Sequence, residues 1–208
     1  MSSISSRPVR TAPQQKRSER RLTGFLEAAA ALFAERGFEA TTMQAIADLS
    51  ESSIGALYNY FPDKQAVAAT LRIQYSQELH AHLQRLTDES KELSVAQFAE
   101  SFIDCIVNFA QERPAWLNLR AVPMRIRRDL TARTALRTSF ANAFRGKNPS
   151  LSPERALLVA NVAVQIVKAM RTLYGESDAK TKESVAQEFR KVLTRYLEDV
   201  LAEKIGID

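Results

Sequence analysis

The side chains with the greatest chemical potential are few. His80, His82 and Cys105 are the only imidazoles and thiol in 208 residues. The two histidines are two positions apart, so on a helix they point in different directions and cannot share a metal. Cys105 lies on an apolar stripe with no histidine nearby in sequence, which reads as a buried small residue, with a redox-sensing thiol as the alternative. No phosphate-binding glycine loop and no nucleophile elbow occurs. We therefore expect no enzyme, no metal and no cofactor. One cysteine cannot form an internal disulfide, which fits a reducing cytoplasm.

A different kind of chemistry, hydrogen bonding and apolar contact, is concentrated in TTMQAIADLSESSIGALYNYFPDK, residues 41–64. Thr41 is a good helix N-cap, and Gln44 three residues later completes a capping box. Met43, Ile46 and Ala47 then share one helical face. Residues 50–53 form a turn and a second cap. Residues 54–59 make a helix too short to stand alone, because isolated helices below ~12 residues are marginal in water. Leu57 and Phe61 are available to hold it from the inner side, and Pro62 stops it. Two short helices, the second held by the first, make a helix-turn-helix, which places a helix in the DNA major groove. On the second helix, Ser53, Ile54, Ala56, Tyr58 and Asn59 are expected outside. Ser53 can donate to a phosphate or a base edge, Ile54 and Ala56 can touch thymine methyls, and Asn59 can bond adenine or backbone. Gly55 permits close approach of the backbone to DNA or to the preceding helix.

Three pieces of this region, F-A-E-R-G-F-E-A-T-T (residues 33–42), I-A-D (46–48) and G-A-L-Y-N-Y-F-P-D-K (55–64), resemble the DNA-binding domain of the tetracycline-repressor (TetR) family of bacterial transcriptional regulators. Beyond it, the chain fits the family only in length and helicity. The resemblance implies that Thr42, Tyr58 and Lys64 hold phosphates. It implies a homodimer in which the last two long helices pair with their copies as a four-helix bundle. It also implies a small-molecule effector that enters a cavity among the middle helices, moves the fourth helix and changes the separation of the two reading helices. The chain departs from the family at the turn, where Glu51 and Ser52 replace a usual Gly and hydrophobic residue. Ile54 stands where Lys or Gln is frequent, and Ala56 where Thr is.

Charge placement bears on the same partner. The net charge is +5, and residues 1–21 carry all of it, with Arg7, Arg10, Lys16, Arg17, Arg20 and Arg21 against Glu19. Residues 41–64 are acidic overall, with Asp48, Glu51 and Asp63 against Lys64. DNA affinity must then lean on the basic arm, and Arg17, Arg20 and Arg21 are its expected contacts. A merely solvated tail is the alternative. For Tyr58 we expect phosphate contact, and for Tyr60 core packing.

The elements that must position these groups read as helices throughout. A hydrophobic content of 45% rules out wholesale disorder, six Gly and seven Pro leave room for long helices, and no alternating strand pattern occurs. We expect an all-α chain of about nine helices in three stretches: a flexible basic arm (1–17), a three-helix DNA-binding domain (18–62) and an effector-binding and dimerisation domain (63–208). The first helix should begin at residue 16 or 18 and end at 36, with Gly37 beyond it. Asp63 should cap a long fourth helix to about residue 87 that belongs to both halves and links them mechanically. Ser94 should cap the fifth, which Pro114 breaks. A short helix over 115–121, a seventh over 127–144, an eighth over 153–174 and a ninth over 181–201 complete the chain. The eighth carries one thin polar stripe, Asn161, Gln165, Lys168 and Thr172, and almost everything else on it is apolar, so it needs cover on more than one side. A second subunit supplies that cover, or else it is the central helix of a monomer. There is no apolar leader, and no stretch is expected to reach membrane-spanning length. The chain reads as soluble and cytoplasmic.

Candidate effector-binding residues are Tyr75, Phe98, Phe102, Phe109, Trp116, Met124, Phe140, Ile166 and Met170, with ordinary core packing as the competing reading of each. Residues 120–147 add Arg120, Arg125, Arg127, Arg128, Arg133, Arg137, Arg145 and Lys147 against Asp129 alone. Either one or two of these, such as Arg128, point inward to bind an anionic effector, or the cluster is a solvated face paired with Asp88, Glu89, Glu92 or Glu100. The functional expectation is a homodimeric repressor that binds a double-stranded DNA operator and is released by a small-molecule effector. Two alternatives stay open: a ligand-independent DNA-binding activator, and a helical small-molecule- or lipid-binding module with a vestigial helix-turn-helix.

Overall fold

A computed structural model describes residues 12–119, 122 and 130–202. Among them there are nine α-helices and no strand: α1 (Ala12–Ala40), α2 (Met43–Leu49), α3 (Ile54–Tyr58), α4 (Lys64–Glu89), α5 (Val95–Glu112), α6 (Pro114–Asn118), α7 (Leu130–Lys147), α8 (Pro153–Glu176) and α9 (Ala179–Ala202). A 3₁₀ turn, Ser90–Glu92, which the sequence pattern does not announce, joins α4 to α5. The all-α expectation holds. The chain forms two compact units that divide between Leu71 and Arg72, inside α4, so that this helix contributes to both.

The first unit is built on a small apolar core. Phe25, Ala29, Leu32 and Phe33 line the inner face of α1, Ile46 and Ala47 that of α2, and Leu57 is the fully buried residue of α3. Fully burying such a side chain stabilises by about 1.5–3 kcal/mol, which is how a five-residue helix persists. The helical run of α1 is interrupted at Gly37, whose φ of 77° is in the left-handed region that glycine tolerates. Phe38 then folds back onto Phe33, with ring centroids 5.6 Å apart.

Two details differ from expectation. α1 starts at Ala12, so residues 12–17, expected in the flexible arm, are helical. The N-cap of α2 is Thr42 rather than Thr41: the Thr42 hydroxyl accepts from the Ala45 amide at 3.1 Å. Thr41 is buried, so its hydroxyl must find a partner inside, and it donates to the Gly37 carbonyl at 2.8 Å. Gln44 accordingly makes no capping box and donates instead to Asp48 at 2.7 Å.

In the second unit α5 begins as expected. Ser94 and Gln97 form a reciprocal capping box, and Phe98, Phe102, Ile106 and Phe109 are buried along one face. Pro114 occupies the first turn of α6. α7 packs on α8, and α9 packs on both α8 and α5. An ion pair from Arg190 of α9 to Asp104 of α5, with Glu183 at 3.1 Å from the same guanidinium, fixes the α5–α9 register. α8 corrects one expectation. It is 24 residues long and contains an 18-residue stretch of mean hydropathy 1.4, enough to cross a membrane by length and composition. Ala156, Val159, Ala160, Ala163, Val167, Met170 and Tyr174 of this helix are nevertheless packed inside the unit.

Candidate nucleic-acid interface

The turn between α2 and α3 sets the angle of the second helix. Ser50 closes α2 with its amide on the Ile46 carbonyl, and the Ser52 amide reaches the Ala47 carbonyl at 2.9 Å. Between them Glu51 adopts φ 52°, the left-handed region where a glycine would be at ease. Ser53 then caps α3, its hydroxyl oxygen accepting from the Ala56 amide at 3.2 Å. In both Thr42 and Ser53 the cap uses an oxygen lone pair, so each hydroxyl hydrogen remains able to donate outward. Both residues are exposed.

Because Leu57 is turned fully inward, the 100° step of a helix puts Gly55 and Asn59 at the opposite, outward line. Ala56 and Tyr58 flank that line. Exposure agrees: Gly55 and Asn59 are exposed, Tyr58 is 51% exposed, and Ile54 and Ala56 are half-buried. A Cβ added at Gly55 would meet nothing within 4 Å, so this glycine is not there for approach to α2. Tyr60 packs as expected, edge-on to Phe25 at 5.5 Å, with its hydroxyl 2.8 Å from the Ser18 hydroxyl.

Lys64 is placed differently from a free phosphate-holding cation. Its ammonium donates to the carbonyls of Phe38 (2.6 Å) and Glu39 (3.1 Å) and lies 4.4 Å from the Phe38 ring centre. It straps the first turn of α4 to the end of α1. Asp63 caps α4 through the Ala66 amide at 2.8 Å, as expected. Exposed cations of this unit instead gather on the first turns of α1, where Lys16, Arg17, Arg20 and Arg21 lie at spacings of one, three and four. Arg7 and Arg10 lie outside the described residues.

The effector candidates fall into two aromatic groups of the second unit. Phe98, Phe102 and Phe140 pack together with Phe144, the Phe102 and Phe140 centroids 4.8 Å apart. Phe109 sits between Tyr75 (6.2 Å) and Trp116 (5.2 Å), with His82 at 6.1 Å. Arg171, which pattern alone hides within an apolar helix, places its guanidinium 4.7 Å above Trp116. The signal available was a cation next to Met170 and outside the polar stripe of the helix. Arg113 pairs with Glu78 at 3.1 Å beside this second group. Burial pushes the Tyr75 phenol up, with Arg113 opposing and Glu78 adding to the shift, so it stays a neutral donor. Met170 is buried and Ile166 half-buried. Met124 and Arg128 lie outside the described residues.

An open cleft of about 790 Å³ lies elsewhere, between the end of α4, the 3₁₀ turn and α7, lined by groups such as Gln84, Asp88, Ser139, Asn142 and Lys147. None of the described residues singled out as effector-binding lines it. In the basic cluster, Lys147 donates to the Ser90 and Leu93 carbonyls and Arg145 to that of Leu151. These described members are therefore held by backbone carbonyls rather than by the acids expected to pair with them. Cys105 is half-buried, and burial pushes its thiol up to about 11. No group of metal-ligating residues occurs among the described ones.

Comparison with known proteins agrees with this architecture. The model of the bacterial regulatory proteins of the tetR family matches residues 25–71, and that of the tetracyclin repressor-like C-terminal domain matches residues 94–197. The chain belongs to the TetR family. It is therefore a DNA-binding transcriptional regulator by family, with the helix-turn-helix in its first unit. No curated protein sequence matches it. Among solved structures, a TetR-family regulator from Streptomyces coelicolor aligns with TM-score 0.62 at 21% identity, over 86% of this chain and 99% of that one. A TetR-like regulator from Rhodococcus sp. RHA1 gives 0.62 at 19%, over 88% and 97%. A TetR-family regulator from Thermus thermophilus gives 0.58 at 18%, over 82% and 97%. At these identities the likeness is one of fold.

Proposed function

We propose that this TetR-family chain acts as a homodimeric repressor that a small-molecule effector releases from its operator. The observation that carries the DNA-reading part is α3 itself. It presents Gly55, Asn59 and Tyr58 outward from a packed core, with the Ser53 and Thr42 hydroxyls free to donate beside it. Ser53, Ile54, Gly55, Ala56 and Asn59 are the groups we assign to base edges. Thr42, Tyr58 and the α1 cations Arg17, Arg20 and Arg21 are assigned to phosphates, which position the helix without reading sequence. Lys64 contributes through the third hydrogen of an ammonium whose other two are bonded internally.

Dimerisation is supported by an uncovered apolar line. Leu158, Val162, Ala169 and Leu173 recur at helical spacing on α8, and Leu158 and Leu173 are 51% and 47% exposed. Val192 of α9 is 50% exposed. Pairing these helices with their copies presents two reading helices, which must lie about 34 Å apart to enter successive major grooves. Release by an effector fits the unbroken run of α4 from the reading unit into the sensing unit. The Tyr75, Phe109 and Trp116 group is the seat we favour for the effector, with Phe98, Phe102, Phe140, Ile166 and Met170 supporting it from α5, α7 and α8.

The test is fluorescence anisotropy of the full-length protein on DNA from upstream of its own coding sequence, followed by addition of candidate effectors. Saturable binding that exceeds binding to scrambled DNA is expected, as is its loss with at least one ligand. Equal affinity for scrambled DNA would sink the regulator reading. Binding that no ligand alters would leave DNA recognition standing and remove the effector.

A further inference from the structure

The reading helix has no cation, and this restricts the base pairs it can recognise. Between Arg36 and Lys64 the sequence holds neither Lys nor Arg. Arg36 faces Glu35 at 3.5 Å, and the Lys64 ammonium is held on the Phe38 and Glu39 carbonyls. Reading guanine strongly in the major groove takes paired donors on O6 and N7, most often from Arg or Lys. No such fork stands on α3.

What does stand outward is small, apolar or amide. The outward line starts at Gly55, where even an added Cβ would meet empty space, so the helix backbone can lie unusually near the groove floor. Ala56 and Ile54 are half-buried at its sides and offer methyl groups. One turn later, exposed Asn59 offers a donor and an acceptor on one planar amide, which matches the N6 and N7 of adenine. A thymine methyl needs only an apolar partner at van der Waals range. Nearby carboxylates would favour cytosine N4, but Asp48 is held by the Gln44 amide and Glu51 belongs to the turn before the cap.

We infer that α3 reads A·T pairs: the core of each operator half-site is recognised through thymine methyls against Gly55, Ala56 and Ile54 and through an adenine against Asn59. This rests on the DNA-binding assignment above and narrows the class of DNA that assignment concerns.

The experiment is in-vitro selection from a random duplex library with the full-length protein, followed by affinity measurements on the winning site. Core pairs are defined as those whose preference changes in Asn59→Ala or Ala56→Gly protein. We expect A·T at these pairs. Replacing a core thymine by deoxyuracil, which removes only the methyl, should weaken binding about fourfold per methyl. Replacing the core adenine by 7-deazaadenine should weaken wild-type binding about tenfold and leave Asn59→Ala unaffected. Asn59→Ala should keep the wild-type salt dependence, because the groups assigned to phosphates are all retained. Enrichment of G·C core pairs, or indifference to both base analogues, overturns the inference while leaving a sequence-specific regulator. A library that enriches no sequence overturns the regulator reading and this inference together.

Discussion

Glu51 holds a backbone conformation that costs a non-glycine residue roughly 1–2 kcal/mol, in a turn whose geometry the fold requires. Glu51→Gly removes that cost but adds chain entropy to the unfolded state, about 0.5–1 kcal/mol, so thermal denaturation should show a gain of no more than about 1.5 kcal/mol. The same change removes a carboxylate near the DNA-facing helix, and operator affinity should rise. Lys64 has the opposite character. Lys64→Met deletes two charge-assisted bonds to carbonyls, each worth about 1.5–3 kcal/mol, and should lower the unfolding midpoint of the protein. Because its third hydrogen is assigned to a phosphate, the salt dependence of DNA binding measured on the still-folded fraction should also flatten, by about 0.9 in slope, and an unchanged slope would leave the strap as its whole role. Cys105 gives a pH prediction. Its folded-state thiol titrates near 11 against an ordinary value of 9.0, so the fold favours the protonated form. That contribution is complete below pH 9 and is lost between about 9 and 11 as the unfolded chain sheds its proton first. Alkylation at neutral pH should be slow in the native protein and rapid in urea. At this scale the sequence revealed residue types but not their engagements. Lys64 and Arg171 escape a sequence reading because each is satisfied by a group distant in sequence, Phe38 in one case and Trp116 in the other.

Local signals were reliable where one exposed polar side chain had one available helix end. Ser94 with Gln97, Ser53 and Asp63 all cap as the spacing indicates. The exception, Thr41 against Thr42, arose because two candidates are adjacent, and burial alone decides between them. Lone spacing could not reveal that Thr41 faces the core. For α1 the sequence placed the start too late. Residues 12–17 contain no apolar stripe to advertise a helix, yet they continue one. The consequence is that Lys16 and Arg17 ride on an ordered helix together with Arg20 and Arg21. Deleting residues 1–17 should therefore weaken operator binding and flatten the plot of log affinity against log salt, by about 0.9 for each phosphate left without its cation. A plot of unchanged slope would remove the arm from the interface. Phe98 and Phe102 were legible as an inward face of α5, because period and apolarity suffice for that, whereas Phe140 of α7 was legible only as a pocket or core candidate. Which aromatic groups leave room for an effector was not legible, since cavity shape depends on how three or four helices meet.

Across the whole molecule, helicity and the order of elements followed from composition and periodicity, and the reading helix from a short specific pattern. That α4 belongs to both halves was legible too, but the residue at which it divides was not, because a continuous helix gives no sequence mark where its neighbours change. Leu158→Glu with Val192→Glu should hold the protein as a monomer in sedimentation and depress operator affinity far more than it depresses the unfolding midpoint, since both side chains are half exposed in the single chain. A dimer that survives both substitutions would redirect the search for its interface. The eighth helix also has a meaning for the cell's supply of this protein. As the homodimer proposed above, a chain whose longest apolar helix leaves Leu158 and Leu173 half exposed would tie its useful form to its own abundance. Occupancy of a target would then climb steeply with expression, roughly as the square of concentration when dimers are scarce. Newly made single copies would be the ones most prone to clump or to be cleared.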